Sequence, residues 1–156
     1  MSTKIQDLLR DLYRKERAMA DHLQQLARRH PGHQEVYHVA QDIARWSHQH
    51  ADRLTATAKD YGLDLHAEEQ PDPGRPVGEE ALSTASGGAQ LLEDLRAIYL
   101  HAADLSIDWE LLGQGAQEVK DAELLGLSAQ CHPGTLRQMR WANALLKAGA
   151  PQVLAS

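Results

Sequence analysis

The 156 residues are 42% apolar and carry a formal net charge of −6, enough chain for one domain with a real core and too apolar for disorder throughout. Aromatics make up only 4% and Phe is absent, so the core must come from Leu, Ala, Ile and Val, with few of the alternating Val-Ile-Thr runs that strands favour; the class is all-α. The acid excess speaks against a nucleic-acid partner, and no run approaches the roughly 20 apolar residues that span a bilayer, so no membrane partner is expected either.

The first helix is expected over Thr3 to Arg29, with Ser2 or Thr3 as its cap. At spacings of three and four, Ile5, Leu9, Leu12, Glu16, Met19, Leu23, Leu26 and His30 fall on one stripe. The stripe is apolar except at its end and its middle. At the middle Glu16 puts a carboxylate on the face to be buried, which is costly unless the group is paired, hydrogen-bonded or bound to a metal. Arg10, Arg14, Lys15, Arg17, Arg28 and Arg29 make this helix locally basic, but Asp7, Asp11 and Asp21 are interleaved at helical spacing. That is the pattern of a solvated, salt-bridged face.

Pro31 and Gly32 end the helix in a tight reversal. The second helix follows from about His33 to Tyr61, antiparallel to the first because the turn is so short. Its stripe is Val36, Ala40, Ile43, Ser47, His50, Leu54, Thr57 and Tyr61, again polar at the centre. Gly62 is a natural stop. A long, polar, extended connection is expected over about 62–87, with Pro71, Pro73, Pro76, Gly74 and Gly78 among Glu68, Glu69, Glu79 and Glu80. A helix of about 28 residues is roughly 42 Å long, and this stretch can span it, letting the second and third helices run parallel.

The third helix begins near Gly88 with the stripe Leu91, Leu95, Ile98, Ala102, Leu105, Trp109, Leu112, Ala116 and Val119. The fourth is expected from Asp121, a good N-cap, to about Lys147, with the stripe Leu125, Ala129, His132, Leu136, Met139, Asn143 and Leu146. Pro133-Gly134 should kink or split it at 132–134. The alternative is that the third helix continues past Val119 and the turn lies at His132-Pro133-Gly134.

Four helices of matched length joined by short, long and short connections, with polar residues at mid-height, resemble the ferritin-like superfamily, in particular small bacterial bundles of stress-response type. The resemblance implies a ferritin-like four-helix bundle spanning 1–156, with antiparallel pairs joined by a crossover between the second and third helices. It also implies inward ligands for two metals: Glu on the first and third helices and Glu-x-x-His on the second and fourth. Matched residue by residue, Glu16 fits the first position. In Ser47-His48-Gln49-His50, His50 fits and Ser47 replaces Glu. Glu110 fits on the third helix, or Asp104 or Asp108 if the register differs by a turn. In Ala129-Gln130-Cys131-His132, His132 fits and Ala129 replaces Glu. Both metal-bridging carboxylates are therefore missing. The one literal Glu-x-x-His, Glu35-Val36-Tyr37-His38, lies beside the stripe and about a dozen residues, roughly 18 Å of rise, from the level of Glu16.

Two readings of the mid-layer follow. In one, Glu16 accepts hydrogen bonds from His50 or from Arg45, Arg53 or Arg140, and His50 and His132 are satisfied core histidines. The protein is then a structural or interaction module without catalytic residues or cofactor. In the other, Glu16, His50, Glu110 and His132 hold one or two ions of Fe, Zn or Mn for metal handling or redox chemistry. The remaining histidines look mostly exposed. Trp46, Trp109 and Trp141 suit core packing. Cys131 lacks a base and orienting group at recognisable spacing, and Gly113-Gln114-Gly115 lacks the strand of a phosphate loop. A lone cysteine allows no internal disulfide, which with the absent signal-peptide pattern suits the cytoplasm. The expected partner is a second copy, in a dimer.

Overall fold

The computed structural model describes residues 3–69 and 87–156, and those residues are helical with no strand among them. Helix α1 spans Thr3–Arg29 and α2 spans Gln34–Ala58, followed by a 3₁₀ turn at Lys59–Tyr61. A short α3 covers Leu65–Glu68, α4 covers Gly88–Glu118 and α5 covers Ala122–Ala155. No helix among the described residues is long and apolar enough to cross a membrane.

Helix ends follow local chemistry. His33 caps α2 by accepting the Val36 N–H at 3.2 Å. Asp121 caps α5 by accepting from the N–H groups of Glu123 and Leu124. The α4–α5 junction therefore lies at 119–121, where Lys120 adopts a left-handed φ of 57°, and not at His132. The turn after α2 closes on Gly62 at φ 73°, a conformation that glycine adopts without a Cβ penalty.

Each long helix packs on two others: α1 on α2 and α4, and α5 on α4 and α2. Arg29 pairs with Asp94 while Lys15 pairs with Asp108, so α1 and α4 are antiparallel. Gln138 reaches the Ile43 carbonyl while Gln130 meets Arg53, so α2 and α5 are antiparallel too. It follows that α2 and α4 run the same way. The core is mainly aliphatic: Leu9, Leu12, Met19, Leu23, Leu54, Ile98 and Leu105 are fully buried. The expected stripes of the first three long helices match this burial closely, Val119 being an exception at 52% exposure.

Three expectations need correction. The extended connection begins as structure: Leu63 and Leu65 are buried, and Gln6 donates to the Tyr61 carbonyl at 2.7 Å. Arg10 and Arg17 pair with Glu68 and Glu69, which pins this strap to α1. Residues 70–86, with the rest of that connection, lie outside the described residues.

The fourth helix does not divide at Pro133-Gly134, nor end near Lys147; α5 runs unbroken through Pro133 and Pro151. A mid-helix proline costs about 3 kcal/mol and a glycine about 1. Packing offsets this. Gly88 lies so close to α5 that a Cβ there would meet Val153 at 2.8 Å, and one at Gly149 would meet Leu92 at 3.2 Å.

Finally, the inward face of α5 is one residue earlier than the expected stripe. Leu124, Leu127, Ser128, Cys131, Thr135, Gln138 and Ala142 are buried, whereas Leu125 is 37% exposed and Ala129 faces solvent. Apolar residues stand at both phases, as at Leu124-Leu125 and Leu145-Leu146, so spacing alone does not choose between them.

Candidate functional site

Glu16 lies at mid-length of α1 and is completely buried. Its Oε2 accepts from Nδ1 of His50 on α2 at 2.6 Å and from Nε1 of Trp109 on α4 at 3.2 Å. The two donor rings meet edge to face, with centroids 6.1 Å apart. Oε1 has no hydrogen-bond partner among the described residues. Charge-assisted bonds of this kind are stronger than neutral ones, and they compensate the burial of the carboxylate in part.

From α5, Cys131 closes the layer. Burial pushes its thiol up to about 12, and the charge of Glu16 adds to the shift. A thiol so far above neutral pH is a packing group, not a nucleophile. Next to this layer, Gln138 donates to the Ile43 carbonyl at 2.9 Å and to Ser47 Oγ at 3.0 Å. Ser128 donates to the Trp109 backbone carbonyl at 2.8 Å, which ties α5 to α4 beside the layer.

Of the four candidate ligands, the structure brings Glu16 and His50 together. Glu110 faces solvent, because Trp109, its neighbour, takes the inward position on α4. His132 is turned off the central layer by the one-residue phase of α5, and its Nε2 shares a 2.9 Å hydrogen bond with Ser106 Oγ. Asp104 and Asp108 both pair with Lys15, at 3.0 and 2.7 Å. Burial pulls the Lys15 ammonium down, but the two carboxylates outweigh it and the net shift is upward. Glu35 and His38 are exposed. The residues present do not assemble the donor set of a two-metal centre, and among the described residues no group of three or more His, Cys, Asp or Glu is placed to hold an ion. The donors to Glu16 are a histidine and a tryptophan. Arg45 instead faces Asp42, and Arg53 bonds Gln130.

Two further polar centres pair stripe residues with acids across the core. Asp94 on α4 accepts from His30 at 2.7 Å and from Arg29 at 3.0 Å. Burial raises its carboxyl, yet the bonds from His30, Gln90 and Arg29 outweigh this and hold it below its ordinary value. His30, the last residue of the expected α1 stripe, is thereby buried. At the other end, the Tyr61 hydroxyl donates to Asp121. Burial and that bond push the phenol up. The clue to Asp94 was available: a basic Arg29-His30 pair at a helix end needs an acid beside it. Its position across the core was not.

Comparison with family models, with curated proteins and with solved structures finds no match to this chain.

Proposed function

We propose that the chain is a ferritin-like four-helix bundle whose metal layer has been replaced by a hydrogen-bonded polar lock, and that it acts as a structural or interaction module, stress-related by resemblance, and not as an enzyme. The helix directions support the bundle reading, since α2 and α4 run parallel as a crossover requires. The observation that carries the functional reading is Trp109. It stands inward on α4 and gives its indole N–H to Glu16, which puts a ring where a metal layer would need a carboxylate. Next to that layer Gln138 donates to Ser47, so the position of the missing helix-two carboxylate is taken up by a neutral hydrogen bond. The module is proposed to be a cytoplasmic homodimer. Support for self-association comes from Leu100, Ile107 and Leu111, which are more than half exposed on the outer side of α4.

A second reading has one observation in its favour. The unpartnered Glu16 Oε1 leaves one oxygen beside His50 for a single Fe, Zn or Mn ion. One measurement separates the two. Untagged protein and Glu16→Ala are reconstituted with Fe²⁺, Zn²⁺ and Mn²⁺, and bound metal is counted. The lock predicts no stoichiometric metal in either protein. Stoichiometric metal in the wild type that is lost in Glu16→Ala overturns it. Size-exclusion chromatography with light scattering tests the dimer.

A further inference from the structure

Between α2 and α5 the surface opens into a groove of about 380 Å³. Its walls include Trp46 and Gln49 from one helix and Gln130 and Arg137 from the other; His50 and Gly134 meet at its floor. His50 is only 6% exposed. The edge bearing Cε1 and Nε2 lies against Gly134, where an added Cβ would stand 2.9 Å from both atoms. Only glycine leaves room for the ring there, and it sits beside a proline in mid-helix. Two residues that helices disfavour thus coincide with the floor of a cavity, and local rules of this kind are broken most often where a site is built.

The hydrogen-bond inventory of the groove is one-sided. Nδ1 of His50 is committed to Glu16, so in the neutral ring the proton is on Nδ1 and Nε2 keeps its lone pair. Nε2 has no partner among the described residues. Nε2 is an oriented polar atom at the floor, an acceptor when the ring is neutral, held by a buried carboxylate. The walls supply donors. Arg137 is the one charged residue of the lining, and no carboxylate lines the groove. Gln130 has its oxygen occupied by Arg53 at 2.8 Å, which leaves its NH₂ group to donate.

We propose that this groove binds a small hydroxycarboxylate. Its carboxylate lies on the planar guanidinium of Arg137, the arrangement that arginine favours for this anion. Its hydroxyl donates to Nε2 of His50, and the Trp46 ring forms a side wall. The metal reading engages the same imidazole, so the test is made on metal-free protein.

Glycolate and acetate test it, because they differ only in the hydroxyl. The full chain, stripped of metal with EDTA, is titrated with each while the His50 imidazole and Trp46 indole signals are followed by NMR. Glycolate is expected to saturate both signals in the roughly millimolar range that so small a ligand allows. Acetate is expected to bind about tenfold more weakly. Arg137→Gln is expected to abolish saturation by either, and His50→Gln to bring glycolate down to the level of acetate. Arg137 is exposed, so its variant keeps the test decisive if His50→Gln does not fold. Absence of saturation by glycolate, equal binding of the two acids, or unchanged binding in Arg137→Gln overturns the proposal.

Discussion

Gly134→Ala and Gly126→Ala are the same substitution in the same helix, and the structure gives them opposite signs. At Gly126 nothing lies within 4 Å of an added Cβ. Alanine there gains only helix propensity, about 1 kcal/mol of stability. At Gly134 the same gain is opposed. The Cβ would stand 2.9 Å from two atoms of the His50 ring, closer than any relaxed contact. The ring cannot swing freely, because its Nδ1 is held 2.6 Å from Glu16 and Trp109 stands edge-on to it. Overpacking costs about 1–3 kcal/mol. Loosening a hydrogen bond to a buried charge costs about 1.5–3 more. After the propensity gain, Gly134→Ala should lose about 1.5–5 kcal/mol, or roughly 3–20 °C in Tm for a chain of this size. Urea denaturation followed by circular dichroism reads both variants against the wild type. A Gly134→Ala protein as stable as the wild type would refute the placement of His50 against α5. If Gly126→Ala were equally destabilising, the contact at Gly134 would lose its meaning.

Other outcomes follow from the same layer and its surroundings. Trp109→Phe keeps most of the ring but removes a donor from a fully buried carboxylate, so it should cost about 1–3 kcal/mol, measured by urea unfolding; Trp141→Phe, whose indole nitrogen has no partner among the described residues, should cost less. Asp94 has a carboxyl held below its ordinary value of 3.8, so its contribution is fully present above that pH and is lost as the pH falls through the lower, folded value. Urea midpoints between about pH 2 and 7 should therefore fall more gently with acid in Asp94→Asn than in the wild type. Cys131 should resist a thiol reagent at about pH 8 in the native protein and react fully in denaturant, since the thiolate forms only near its raised value of about 12. Rapid native labelling would contradict its burial against Glu16.

The first two helices were legible because their apolar residues keep a single phase. The stripe through Leu9, Leu12, Glu16, Met19 and Leu23 is the buried face, and it marked Glu16 as the odd charge. The short turn at His30 fixed His50 opposite it. The second pair was less readable for a physical reason. α5 has apolar side chains at adjacent positions and carries Ser128, Thr135 and Gln138 on its buried face. Contrast between its faces is weak, so the period shows but the phase does not. One residue of phase separates Cys131, which is in the core, from His132, which bonds Ser106. One residue also separates Trp109 from Glu110. Both candidate ligands on the second helix pair failed to join Glu16 by that margin.

Proline was the other source of error. Local chemistry reads Pro133-Gly134 as an ending, yet α5 continues for 21 residues beyond Gly134 to Ala155. A propensity of a few kcal/mol is overridden once both flanks are packed on α4.

The all-helical class, the short turn between the first two helices and the carboxylate in the apolar face of the first helix are legible in the chain itself. These are local properties, set by spacing, capping and composition. What that carboxylate meets is set by how the helices pack. The partners of Glu16 are 34 and 93 residues away along the chain, and their approach depends on the rotation of each helix about its own axis. A helix turns by about 100° per residue, so the one-residue phase of α5, which apolar residues at both phases leave open, puts Cys131 and not His132 at the centre of the protein.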